Sequence, residues 1–133
     1  MERRTYSRLQ IEIEGIFILQ NENIVPRDFE GLVIDISEGG FKLSIDYNRY
    51  PTLLDNLHVE DIIHFNIPDE YMLFGEEKFD VITGKARILR KITKDNTVEL
   101  GCKLIERNTE LEEYLINRRT SFFVKNMIND NVE

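Results

Sequence analysis

The sequence predicts a mostly-β fold, an antiparallel barrel or sandwich of about six strands closed by a single C-terminal helix. Three observations carry this expectation. Apolar and polar residues alternate with period two along most of the chain. The alternating runs are joined by short, turn-like segments, as hairpins require. Beyond residue 108 the apolar spacing changes to that of a helix.

Leu9, Ile11 and Ile13 alternate with Gln10, Glu12 and Glu14, the pattern of a half-buried strand, and Gly15 marks a bulge or bend in it. The polar stretch QNENIVPRD makes the next turn or loop. Leu32, Ile34 and Ile36 then alternate, and Phe41, Leu43 and Ile45 do so after Gly39 and Gly40, which reads as a hairpin with Ile34 and Ile36 toward the core. Residues 46–60 show no period and read as irregular.

In IIHFNIP, Ile63, Phe65 and Ile67 share a face, and DEYMLFGEEK follows as a loop. FDVITGKARILRKI and TVELGCKLI are two further strands joined by the turn KDN, with Ile82, Ala86, Ile88 and Ile92 on one face of the first. The final stretch places Leu111, Leu115, Phe122, Phe123 and Met127 at helical spacings, and Thr109 with Glu112 forms the T-x-x-E of a capping box. The expected division is an arginine-rich N-terminal loop over 1–8, strands over 9–107 and a helix over 108–129, all within one domain. NDNVE reads as a frayed tail.

Composition narrows the function. With 133 residues, 41% of them hydrophobic, the chain has material for one core, and its 32% charged content is ordinary for a folded domain. No apolar stretch of signal-peptide type follows the basic start, and no window approaches the ~18 apolar residues of a membrane span, so the expectation is a soluble, cytoplasmic protein without membrane insertion. A net charge of −8 repels long polyanions and argues against a nucleic-acid polymer as partner. Yet Arg3, Arg4 and Arg8 crowd the first eight residues, a local positive patch on an acidic chain. Cys102 falls on the parity of Val98, Leu100 and Leu104, which makes it a small core hydrophobe rather than a nucleophile.

Enzymatic and metal chemistry find no support in the motifs. His58 and His64 are six apart with no nearby Cys, no P-loop or G-x-S-x-G is present, and the acids occupy alternating or loop positions typical of solvated faces. A nucleic-acid- or sugar-binding barrel calls for exposed aromatics among basic residues, whereas the aromatics here fall mostly on core parity.

The informative stretch is VIDISEGGFKL. Asp35 and Ser37, two apart on a strand, project to the same side about 7 Å from each other. Gly39 and Gly40 after them permit positive φ in the turn and leave bare backbone that another group can approach closely. Taken alone, such an arrangement satisfies local backbone donors.

Taken with the start of the chain, it resembles the PilZ family, whose signature is R-x-x-x-R before the first strand and D/N-x-S-x-x-G at a strand end. Here these stand as Arg4-Thr-Tyr-Ser-Arg8 and Asp35-Ile-Ser37-Glu-Gly-Gly40. LHVEDIIHFNIP, GKARILRKI and VELGCKLIE are similar to the family's central, penultimate and last strands, so the likeness covers most of residues 2–118. The departures are Glu60, where many members have glycine before Asp61, and the long acidic loop PDEYMLFGEEKFD.

The resemblance implies a six-stranded antiparallel split barrel with a C-terminal helix, and a receptor for the bacterial second messenger cyclic di-GMP, with no cofactor and no catalysis. It assigns the ligand to Arg4, Arg8, Asp35, Ser37 and Gly40, with Arg3, Gly39 and Tyr6 as secondary candidates. The chemistry agrees. Arginine's planar fork pairs with guanine O6 and N7 or with phosphate oxygens, a carboxylate accepts from guanine N–H groups, and a hydroxyl donates to phosphate or base. Arg3 either adds a contact or stays solvated, and Tyr6 either stacks on a purine or packs on the barrel. The implied mechanism is ligand-driven ordering of the N-terminus, read by an effector protein, in a monomer or weak dimer of a motility or biofilm pathway. The alternative is a module of the same fold that binds protein and no nucleotide, although such relatives generally lack both motifs.

Overall fold

The computed structural model describes residues 8–21, 25–69 and 81–130, with 121–130 as backbone alone. β1 (Leu9–Gln20), β2 (Asp28–Ser37), β3 (Gly40–Asp46), β4 (Ile62–Pro68), β5 (Val81–Lys94) and β6 (Thr97–Leu104) pair antiparallel in a closed barrel of order β1-β2-β3-β6-β5-β4. Closure leaves no strand edge unpaired, which decides between the barrel and the sandwich. A short helix, α1 (Pro51–Asp55), precedes β4, and α2 (Thr109–Asp130) follows β6.

The inward positions of β1 run without interruption from Ile11 to Leu19, so Gly15 is no break in the strand. It lies opposite Gly31 of β2, and a Cβ at Gly15 would come within 3.0 Å of the Phe17 ring while one at Gly31 would meet Leu43 at 2.7 Å. The two glycines leave room for large neighbours in the narrow barrel interior. Phe17 packs against Phe29 and Phe41, and Phe41 meets Phe65 edge-on at 5.3 Å between centroids. Each such side chain withdrawn from water contributes about 1.5–3 kcal/mol.

Three register shifts correct the simple alternation. In β2 the register shifts against β1 between the pairs Gln10↔Asp35 and Ile13↔Val33, and against β3 between Val33 and Asp35. Ile34 sits at both shifts. Val33 and Ile36, of opposite parity, therefore both point inward, while Leu32 and Ile34 are only half-buried. In β5 a shift between Ile88 and Arg90 turns Ile92 outward, so it leaves the face it was expected to share with Ile82, Ala86 and Ile88. Lys91 reaches across instead, its Nζ donating to the carbonyls of Leu54 at 2.6 Å and Leu57 at 2.9 Å.

Residues 46–60 are more ordered than their lack of period suggests. Pro51 opens α1, where its missing N–H costs nothing, and the helix buries Leu53 and Leu54, with Leu57 just beyond. Five residues are too few to display a helical period. These leucines close one end of the barrel, the end at which Asn21, after β1, donates to the carbonyl of Asn56 at 3.1 Å.

α2 crosses the other end, burying Leu111, Tyr114 and Leu115. Its cap is Asn108 rather than the expected Thr109–Glu112 box: Asn108 Oδ1 accepts the Leu111 N–H at 2.9 Å, and its amide donates to Thr83 O of β5 at 2.9 Å. One residue thus caps the helix and fastens it to the barrel. Glu112 turns instead to Arg107, at 2.7 and 2.9 Å, and that guanidinium holds its carboxyl below the usual range. The side chains of Phe122, Phe123 and Met127 lie outside the described residues. Among the described residues no helix is long and apolar enough to cross a membrane.

Candidate ligand site

The end of the barrel covered by α2 also carries the β2–β3 turn. The bulge at Ile34 sets the facing of the last residues of β2: Ile36 goes into the core and Asp35 and Ser37 stand half-buried. Asp35 Oδ2 lies 3.2 Å from Arg8 Nη1, so residues far apart in sequence meet at this rim. Arg8 remains 43% exposed and Asp35 18%, which leaves the arginine free to exchange partners. Arg3, Arg4 and Tyr6 lie outside the described residues.

Ser37 is turned into the hairpin. Its Oγ accepts the Gly39 N–H at 3.3 Å and donates to Gly40 O at 3.4 Å, a local arrangement that fixes the turn. Gly40 is required by close packing rather than by a left-handed backbone: a Cβ there would fall 2.2 Å from the carbonyl oxygen of Cys102 in β6. Its expected contribution through positive φ is corrected accordingly. Gly39 O accepts the N–H of Leu104, tying the turn to the end of β6.

Sequence reasoning passed over Glu38. This residue sits inside the turn, and its Oε1 accepts from Arg119 Nη1 of α2 at 2.8 Å. The signal was available in its place between Ser37 and Gly39, but nothing in the sequence brings residue 119 to it. Among the described residues, the buried side-chain oxygens without a partner are Asp35 Oδ1 and Glu38 Oε2. Both belong to this turn. An acceptor shielded from water and left unpaired costs about 1–3 kcal/mol, and a donor supplied by a ligand removes that cost.

The rest of the molecule offers less. Among the described residues no group of His, Cys, Asp and Glu side chains is placed to hold a metal ion. His64 Nε2 lies 2.9 Å from Gln20 Oε1, and the backbone N–H of His58 donates to Asp61 Oδ2 at 2.8 Å. Cys102 is buried, and burial pushes its thiol up to about 12, which keeps it protonated and unreactive.

The comparisons with known proteins agree with this architecture. A family model described as PilZ domain matches residues 2–118. Among solved structures, the inhibitor of motility MotI/DgrA of Bacillus subtilis superposes with a TM-score of 0.61 at 19% identity, over 91% of this chain and 53% of that one. MrkH of K. pneumonia, solved as its c-di-GMP complex, gives 0.55 at 16% identity over 98% of this chain and 54% of that one. The PilZ domain of YcgR from Escherichia coli, solved with c-di-GMP, gives 0.57 at 14% identity over 99% of this chain and 100% of that one. At such identities the likeness is one of fold, and the chain spans about half the length of the first two. No curated protein matches.

Proposed function

We propose, from the premise that the chain belongs to the PilZ domain family, that it binds cyclic di-GMP at the β2–β3 rim and reports its presence to another protein. The observation that carries this reading is the Arg8–Asp35 contact beside a buried, unpaired Asp35 Oδ1. The family's two signature stretches meet there, a cation beside an acceptor in need of a donor.

In the proposed complex Arg4 and Arg8 take guanine O6 and N7 or the phosphates, Asp35 accepts from a guanine N–H, and Ser37 donates to a phosphate or base. Arg8 exchanges Asp35 for the ligand, a swap favoured by the weakness of a half-exposed ion pair. Gly39 and Gly40 keep the turn low beside the ligand, and Arg3 and Tyr6 add contacts from the N-terminal segment. Residues 1–8 serve as a clamp whose ordering is the signal a partner reads, in a monomer or weak dimer acting in the cytoplasm. PilZ domains are binding modules, and no catalytic role is assigned to any residue here.

Calorimetric titration with cyclic di-GMP tests this, using the wild type, an Arg4→Ala/Arg8→Ala double variant, and GTP as the control ligand. Saturable binding to the wild type that is absent in the variant and absent for GTP is the expected result. A wild type that gives no heat and no competition overturns the receptor reading and favours a protein-interaction module of the same fold.

A further inference from the structure

At the double bulge the β1–β2 ladder opens into a groove of about 430 Å³ lined by Gln10, Ile11, Glu12, Ile34 and, from α2, Arg118. Gln10 is the cross-strand partner of Asp35, so the groove continues the rim on which Arg8 and Asp35 meet. Its lining combines the apolar Ile34 and Ile11 with an amide, a carboxylate and a guanidinium. Bulges of this kind recur beside functional sites because they re-aim side chains and interrupt pairing. One residue further along α2, Arg119 holds Glu38 by Oε1 and leaves Oε2 buried without a donor.

We propose that α2 supplies the third wall of the ligand site, with Arg118 contacting the ligand in the groove over Ile34 and Arg119 acting as a positioning residue that aims Glu38 at a guanine N–H. This deepens the receptor reading above and rests on it. The groove's chemistry suits a purine ring, which presents a flat apolar face to Ile34 and edge donors and acceptors to Gln10, Glu12 and Arg118. Glu38 Oε2 is suited to guanine because guanine carries an exocyclic N–H donor at N2 that adenine lacks. Arg118 also donates to the Tyr114 hydroxyl at 3.0 Å, a bond that steers the guanidinium toward the barrel.

The test is a titration of the full chain with cyclic di-GMP and with cyclic di-AMP, comparing wild type, Arg118→Ala, Glu38→Gln, Arg119→Ala and Arg119→Lys, with Arg8→Ala as reference and thermal melting as the folding control. Arg118→Ala is expected to weaken cyclic di-GMP binding about tenfold. Glu38→Gln and Arg119→Ala are expected to lower the preference for cyclic di-GMP over cyclic di-AMP about fivefold, and Arg119→Lys to restore most of it, since a lysine can still donate to Glu38. A wild type that binds in an Arg8-dependent manner, with Arg118 and Glu38 variants unchanged in affinity and preference, overturns the α2 wall and leaves the receptor standing. A wild type that binds nothing overturns both.

Discussion

The two ends of the barrel are closed in different ways. At the α1 end no buried side-chain polar atom of the described residues lacks a partner: Lys91 Nζ bridges the carbonyls of Leu54 and Leu57, the Tyr50 hydroxyl accepts the Glu30 N–H at 3.0 Å, and Asp61 Oδ2 takes donors from Asn21 and His58. At the α2 end Asp35 and Glu38 each have one oxygen held by an arginine and the other buried without a donor. The first end is satisfied within the chain. The second keeps two acceptors without a partner among the described residues, the arrangement that the proposed ligand site would use at a cost to stability.

Four substitutions test this contrast. The largest effect is expected from Gly40→Ala, which lies on the binding rim yet does structural work: a Cβ against Cys102 O forces β3 and β6 apart, and a loss of about 3 kcal/mol should appear in denaturant unfolding. If stability is unchanged, Gly40 belongs to the ligand alone.

Arg8→Ala should do the reverse. Its ion pair is half-exposed and adds at most about 1 kcal/mol to folding, whereas the loss of cyclic di-GMP affinity should reach about a hundredfold by calorimetry. A variant that melts early but still binds would reverse the assignment of the two ends.

At the other end Lys91→Met should cost about 2 kcal/mol, because the carbonyls of Leu54 and Leu57 near the C-terminus of α1 lose the ammonium that bridges them, and ligand affinity should not move. The smallest effect concerns Glu60, held at φ 82° in the turn before β4, a left-handed conformation that costs a side-chain-bearing residue about 1–2 kcal/mol. Glu60→Gly should stabilise the fold by about 1 kcal/mol in a thermal melt, again without affecting the ligand, and the ion pair it removes, 3.7 Å to Arg87, is a weak one.

The sequence was legible wherever one physical signal was local. Period-two alternation marked the strands, the change of period marked α2, and the double glycine after Asp35 and Ser37 marked the β2–β3 turn, while the link from that turn to Arg8 came from the family resemblance. It misled where a single inserted residue reversed the facing, at Ile34 and at Ile92, because a bulge leaves no mark in residue type and exists only through the partner strand. α1 was hidden by its length, and the cap of α2 fell to Asn108 because that side chain also found Thr83 in a neighbouring strand.

Residue order alone carries the antiparallel strands, the trailing helix and the polar pair before the double glycine, since alternation, turn residues and a D-x-S spacing are properties of short stretches, whereas barrel closure required the paired strands. The folded chain alone reveals which oxygens of the β2–β3 turn remain unpaired, that Arg119 holds Glu38, and that Arg118 lines the groove at Ile34. The reason is that burial and pairing at the rim depend on the bulge in β2 and on where Asn108 fastens α2, contacts between residues too distant in the chain for any local pattern to encode.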